Sequence, residues 1–351
     1  MIRKLLIGFA LVLVITFGVY RHFHHSRPPV ETAYIGGRSV TLYSTTAQVR
    51  EPVTTVGFGD RVDVLAHFED QVQVRTTAGV VGWTTEDQLL SSDFWRQAQE
   101  LGTETDRLPM EARGHTRVLV NLHIDPARNA ARIRQLDKNV PVDLYERRVV
   151  AAPPAGASAA SAANAANDAN AADGAEASPP EAKKEDWWLV RAHVQATSKE
   201  GLTLSGWVLG RFIDLDVPQP LPDYASAAGM RIVSWYELNH VLDASGAPRP
   251  QYLVLGTKGG EGQPCDFTLI RVFTWSKQKG QYETAFVESD VCGKLPLKLE
   301  TTPAPGGDAA FSFEAWSEGK AEQRTYHMHQ TIVRLERGNG TTAEERKHKR
   351  G

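Results

Sequence analysis

Two stretches of this chain run through the same order of short β-branched and aromatic segments, and that repetition limits the fold more than any other feature. The first reads Val40-Thr41-Leu42-Tyr43, Asp60-Arg61-Val62-Asp63-Val64-Leu65 and Val72-Gln73-Val74-Arg75, and closes on Gly79-Val80-Val81-Gly82-Trp83. The second reads Val120-Asn121-Leu122, Asn139-Val140-Pro141-Val142-Asp143-Leu144 and Trp188-Leu189-Val190-Arg191, and closes on Leu204-Ser205-Gly206-Trp207-Val208. Turn residues Gly57, Gly59-Asp60, Glu69-Asp70 and Gly79 separate the segments of the first copy. Short strands spaced about ten residues apart, with turns between them, predict a small sandwich or barrel. A Trp is large enough to close the end of such a barrel, and the preceding Gly lets two backbones approach closely. The expectation is two small β-modules in tandem, over 33–90 and 113–217.

These residues resemble the bacterial SH3 (SH3b) family, whose pattern runs from a first strand through Gly-then-Val-x-Val and Trp-x-x-Val strands to a closing Gly-Trp-Val. Module one matches with Val40 to Tyr43, Gly59 to Leu65, Val72 to Arg75 and Gly82-Trp83. It departs at its first strand, and Gln71 stands where a Trp is common. Module two matches with Val120 to Leu122, Val140 to Leu144, Trp187 to Arg191 and Gly206-Trp207-Val208. The resemblance covers about 33–90 and 115–215. It implies barrels of five to seven strands, exported from the cell and bound to wall material. Trp83, Trp207, Trp187 and Trp188 are then candidates for a ligand groove, against the alternative that they fill the core. The aromatic cluster that receives Pro-rich peptides in eukaryotic-type SH3 domains is missing.

The second copy is interrupted. Half of the residues from Ala151 to Pro180 are alanine, and none of them is a larger apolar residue. Such a segment has nothing to bury, so a disordered insert is expected over 151–184, at a hairpin tip between Val150 and Asp186. Its length costs little, because loop-closure entropy grows slowly. A helical linker is expected over 91–112, with a helix from Phe94 to Leu101 capped by Ser92 or Asp93 and ended by Gly102.

Seven candidate strands follow within 225–337: Arg231–Trp235, Gln251–Leu255, Phe267–Trp275, Tyr282–Glu288, Leu295–Leu299, Ala310–Trp316 and Thr325–Leu335. Consecutive hairpins predict an antiparallel meander, as an open barrel or a propeller blade. The tail over 338–351 is polar and reads as disordered. The chain is thus expected to be all-β, with an N-terminal transmembrane helix, two SH3b-like barrels joined by a short helix and a C-terminal antiparallel β-domain.

The two cysteines, Cys265 and Cys292, bracket the hairpin of Phe267 to Glu288. Pairing of the two strands brings their ends together, so a disulfide is expected, and with it an oxidising compartment. The N-terminus points the same way. Met1-Ile2-Arg3-Lys4 precedes sixteen uncharged residues, Leu5 to Tyr20, which Arg21 closes. That is an export signal, read either as an uncleaved anchor over 1–27 or as a cleaved leader. Gly18-Val19-Tyr20 and Arg21-His22-Phe23 make a poor cleavage site, which favours the anchor. The expected location is the inner membrane, crossed once with the N-terminus inside and the bulk of the chain in the periplasm.

The chemistry-bearing residues form no catalytic signature. No G-x-S-x-G, H-E-x-x-H, P-loop or G-x-G-x-x-G stands in a strand-turn-helix setting. His327 and His329 share a strand face but lack an identifiable third ligand, and His22, His24 and His25 adjoin the apolar segment. Glu69-Asp70, Glu86-Asp87, Asp214 with Asp216 and Glu261 with Asp266 are carboxylate pairs that solvation explains. No cofactor or metal is expected. With 39 basic against 42 acidic residues the net charge is -3, which gives no drive toward nucleic acid. From Arg107 to Arg148 basic residues outnumber acidic ones, which reads first as a mixed, solvated surface and otherwise as a basic face suited to anionic headgroups or wall polymers. The expected role is a non-enzymatic binding or scaffolding protein of the cell envelope, with peptidoglycan or an envelope protein as partner. The alternatives are a glycan hydrolase using carboxylates of the last domain, or a plain spacer.

Overall fold

A computed structural model describes residues 31–153, 183–194, 202–301, 307–317 and 319–336. They form three antiparallel seven-stranded sheets and two helices, so the chain is all-β. The first sheet contains β1 (Glu31–Ile35), β2 (Ser39–Tyr43), β3 (Pro52–Gly57), β4 (Arg61–Phe68), β5 (Gln71–Thr76), β6 (Val81–Thr85) and β7 (Leu89–Ser91), in the order β3-β2-β6-β5-β4-β1-β7. Alternation along β2, β4 and β5 turns Val40, Leu42, Val62, Val64, Val72 and Val74 inward. Val56 from one edge strand and Leu89 from the other join the same cluster, so the sheet is rolled around its core.

Helix α1 (Ser92–Thr105) leaves this sheet. Its first turn is capped by Ser91, whose hydroxyl accepts the Phe94 N–H at 3.2 Å, rather than by Ser92 or Asp93 as expected. Nor does Gly102 end it. A glycine inside a helix costs about 1 kcal/mol, and burial of Leu101 and Thr105 beside it offsets that. At the near end, Trp95 stacks on Tyr34 with ring centroids 5.0 Å apart.

The second sheet repeats the first. It contains β8 (Ala112–Thr116), β9 (Val120–His123), β10 (Arg132–Leu136), β11 (Pro141–Ala151), β12 (Lys184–Val194), β13 (Leu202–Leu209) and β14 (Ile213–Leu215), in the order β10-β9-β13-β12-β11-β8-β14. Adding seven to each strand number of the first sheet gives this order strand for strand. A single 3-10 turn precedes the last strand in both, Glu86–Gln88 and Gly210–Phe212. The two Gly-Trp pairs sit alike as well. Trp83 pairs with Tyr43 and Trp207 with His123. A Cβ on Gly82 would stand 2.7 Å from Leu42 Cβ, and one on Gly206 would stand 2.5 Å from Leu122 Cγ. Each glycine is required by the strand that crosses it.

After α2 (Leu221–Ala227), the third sheet contains β15 (Arg231–Leu242), β16 (Pro248–Thr257), β17 (Phe267–Ser276), β18 (Gln281–Thr301), β19 (Ala309–Ser317), β20 (Lys320–His329) and β21 (Ile332–Leu335). They lie in chain order, a seven-stranded meander, which is larger than a four-stranded propeller blade. Leu238 of β15 and Val333 of β21 meet in one core with Phe267, Phe311, Phe313 and Tyr326. The expected strands Tyr282–Glu288 and Leu295–Leu299 are one strand. Ser289 to Lys294 continue the strand, through Asp290 with a φ of 63°, and Pro296 falls where the β18–β19 register shifts, a place that needs no ladder N–H. The expected strand Thr325–Leu335 is divided between β20 and β21 at Gln330, whose φ is 54°. Cys265 and Cys292 form the disulfide. Cys292 lies within β18, not after its end, and the next residue, Gly293, faces the Phe267 ring.

The chain divides into two compact units, 1–99 with 195–202, and 100–194 with 203–351. The second unit therefore holds the second and third sheets together. The expected N-terminal membrane segment, most of the Ala-rich insert and the polar tail lie outside the described residues. Among the described residues, no helix is long and apolar enough to cross a membrane.

Candidate functional site

The β11–β12 hairpin organises the second unit. Its paired part extends to Ala151 and Lys184, beyond the length of its counterpart β4–β5, which turns at Phe68 and Gln71. Strand alternation sends Glu185, Trp187 and Leu189 to one face of β12 and Asp186, Trp188 and Val190 to the other. Both faces are buried, and each carries a different chemistry.

On the first face, Trp187 and Leu189 pack with Trp207, Leu209 and, from α1, Leu101. Trp187 is 1% exposed and meets the His123 ring edge-on at 5.5 Å. Its indole N–H has no acceptor among the described residues. His123 Nδ1 lies 2.9 Å from the Ala130 carbonyl, which selects the tautomer protonated at Nδ1 and leaves Nε2 as an acceptor. Glu185 is buried beneath two arginines: Arg128 Nε donates to it at 2.9 Å and Arg211 Nη2 at 2.7 Å. The Arg128 hydrogen bond, followed by that from Arg211, holds its carboxyl below the usual range against the cost of burial. Above these residues runs a groove of about 390 Å3, lined by Leu119, Asn121, His123, Arg128, Trp187 and Phe212, among others. Leu119 stands 57% exposed on its rim. Trp187 backs the groove from beneath, and the accessible Leu119, Phe212, Asn121 amide and Arg128 guanidinium suit a ligand that offers both apolar and hydrogen-bonding groups.

On the second face, Asp186 belongs to a seam with the third sheet. The Arg147 side chain is only 4% exposed; its Nη2 donates to Asp186 at 2.6 Å and its Nη1 to Asp266 at 2.8 Å. It also donates to the carbonyls of Gln263 and Cys265, at 3.0 and 3.3 Å. Backbone N–H groups complete the carboxylates: Gly262 donates to Asp186 and Leu295 to Asp266, each at 2.9 Å. The guanidinium thus ties the disulfide loop to the second sheet. Nearby, Glu111 lies buried against β15. Its Oε2 accepts from Tyr236 Oη at 2.5 Å and from the Leu297 N–H at 3.4 Å, while Oε1 has no partner. Burial raises its pKa to about 7, although those two hydrogen bonds pull it down.

The four sequence-predicted tryptophans do not form one site. Trp187 and Trp207 share a cluster, with the Arg148 guanidinium 4.6 Å over the Trp207 ring. Trp188 faces away from them and lines a separate cleft. Trp83 is half-buried on β6 in the other unit. The basic run from Arg107 to Arg148 is largely spent on internal pairs, since Arg117, Arg128 and Arg147 meet Asp214, Glu185 and Asp186 from far along the chain. Sequence reading missed Glu111, Arg147 and Arg211. Nothing local marks them, because their partners stand 26 to 186 residues away.

Carboxylates beside the seam are engaged as well. Arg117 holds Asp214 below its usual range, the opposite of what a general acid requires. His327 and His329 are paired with Glu336 and Asp308 respectively. Among the described residues no group of three or more His, Cys, Asp or Glu is arranged to hold a metal ion.

No protein-family model matches the chain, and no curated protein is significantly similar to it. Among solved structures, it is similar to an NlpC/P60 family protein from Bacillus cereus ATCC 10987, with 13% identity over 84% of this chain and 93% of that one, at a TM-score of 0.22. It is also similar to NlpC2 from Trichomonas vaginalis, with 11% identity over 90% of this chain and 95% of that one, at a TM-score of 0.17. Neither likeness reaches the level of a shared fold.

Proposed function

We propose that both repeats are SH3b-type modules and that the chain is a non-enzymatic binding protein of the bacterial cell envelope. In this reading the apolar N-terminal segment anchors it in the inner membrane, with the bulk of the chain in the periplasm. The second module carries the ligand site, and its ligand is peptidoglycan or an envelope protein. The observation that bears most weight is the groove beside Trp187, in the second of two sheets whose strand order is identical. It offers apolar contact and hydrogen bonding, and no carboxylate lines it. The Cys265–Cys292 disulfide supports an oxidising compartment.

The test is sedimentation of the full chain with insoluble peptidoglycan, beside a Leu119→Asp variant. Leu119 is exposed, so the variant keeps its fold, which circular dichroism checks. Retention of the parent and roughly tenfold weaker retention of the variant is the expected result, since charge on an interface rim disrupts an apolar contact. No retention of the parent would remove peptidoglycan as the ligand. Equal retention of both would move the site off this groove.

A further inference from the structure

The second unit contains a cavity that the groove does not use. It lies on the Trp188 face of β12, between the second sheet and the β15–α2 corner, and has a volume of about 540 Å3. Pockets for drug-sized ligands run from about 300 to 1,000 Å3. Much of the wall is apolar, from Leu144, Trp188, Ile213, Leu215, Met230 and Ile232. Four arginines and three carboxylates stand in the same wall: Arg117, Arg147, Arg211 and Arg231, with Asp186, Asp214 and Glu261.

Three of these arginines are committed to the wall itself. Arg117 holds Asp214 through Nε at 3.0 Å and Nη2 at 2.6 Å. Arg147 holds Asp186 at 2.6 Å, and Arg211 holds Glu261 at 2.8 Å. Arg231 differs. It is 53% exposed, donates no hydrogen bond among the described residues, and has Asp186 Oδ2 as its nearest carboxylate contact at 3.8 Å. The other Asp186 oxygen already accepts from Arg147 and Gly262. The cleft therefore presents one guanidinium with its donor fork unclaimed, beside apolar surface whose exposure to water is unfavourable.

We propose that this cleft binds an amphipathic anion, with a carboxylate or phosphate head on Arg231 and an apolar tail laid over Leu215, Val217 and Ile232, the part-exposed apolar residues of the lining. Each carboxylate of the wall is hydrogen-bonded by an arginine, Arg147 and Arg211 being shared with Asp266 and Glu185, and the wall carries one more arginine than carboxylates, which limits their repulsion of the head. A neutral chain of the same length gains the apolar contact but leaves the fork unpaired. A bare anion gains the fork but leaves the apolar wall wet.

Ligand-observed NMR on the full chain tests this with octanoate, octyl phosphate, octanol and inorganic phosphate, each below its aggregation threshold. The expected result is saturable binding of at least one of the two chain-bearing anions, with the tighter identifying the head group. Octanol and inorganic phosphate bind about tenfold more weakly or not at all. Arg231→Gln weakens the anions about tenfold and leaves octanol unchanged. Ser226→Trp, at an exposed position on the lining, blocks every chain. Failure of the parent to bind either anion overturns the proposal, as does unchanged anion binding by Arg231→Gln. Because the groove beside Trp187 is untouched by these variants, peptidoglycan retention stays at the parent level whichever way the result falls.

Discussion

The two repeats share an order of strands and differ most in one hairpin, which in the second copy carries the buried Glu185 and Asp186. In both, the inner part of the hairpin is matched pair by pair: Val62 with Thr76, Asp63 with Arg75 and Val64 with Val74 in the first; Val142 with Ala192, Asp143 with Arg191 and Leu144 with Val190 in the second. A register shift follows at the same point in each. The first copy then ends after three more pairs, Ala66 with Gln73, His67 with Val72 and Phe68 with Gln71. The corresponding residues of the second copy are Glu146 with Leu189, Arg147 with Trp188 and Arg148 with Trp187, and the ladder continues to Ala151 and Lys184. One scaffold thus supports a short polar turn in one place and a two-faced platform in the other. A repeated fold fixes positions, and the residues placed on them decide what each copy does.

The comparison breaks most sharply at His67 and Arg147, which occupy equivalent positions. Arg147→Ala strands two buried carboxylates, Asp186 and Asp266, and costs about 3–5 kcal/mol. His67 is 45% exposed, with one distant partner, and His67→Ala changes stability by less than about 0.5 kcal/mol. Urea unfolding of both variants measures the contrast; a loss of similar size in each would show that the seam adds nothing.

Glu111 gives the second unit a pH dependence of its own. Its folded pKa of about 7 lies above its ordinary value of 4.5, so between those limits the folded state binds more protons than the unfolded one. Stability therefore falls as pH rises from about 4.5 through 7, by roughly 3 kcal/mol in all, and levels off above that. Glu111→Gln removes this part of the slope and is the more stable protein at pH 8. Denaturation midpoints measured from pH 5 to 8 check the sign, which a slope rising with pH would contradict.

The smallest effect sharpens the likeness rather than the difference. Gly82→Ala and Gly206→Ala each force a methyl group against a facing leucine and cost about 1–3 kcal/mol, by overpacking. Thermal unfolding of the two variants is expected to show losses of the same order. A loss in only one would mean that the two Gly-Trp crossings are not equivalent.

What the sequence made legible was local. Gly82-Trp83 and Gly206-Trp207 announce a crossing because the glycine and its neighbour act on one strand. The base of the insert could be placed because alanine-rich chain has nothing to bury. Two cysteines beside one hairpin left a single pairing. Helix α1 was misjudged at Gly102 because the apolar contact that carries Leu101 past it comes from elsewhere in the unit. Strand β18 was divided because Ser289-Asp290 and Gly293 interrupt the strand pattern, and only pairing with β17 and β19 carries the strand through them. The seam was invisible, since Arg147 finds Asp266 only 119 positions further along the chain. The candidate site was half legible: Trp187 stood out, whereas Arg128, Arg211 and Glu185 became one cluster only in three dimensions.

Hydrogen–deuterium exchange on the full chain, with and without soluble peptidoglycan fragments, tests the central claim most directly. The account predicts added protection over 119–135, 185–189 and 207–212, with 39–43 and 71–85 unchanged. Protection over the first copy instead, or none in either, would contradict the assignment of the ligand site to the extended hairpin of the second.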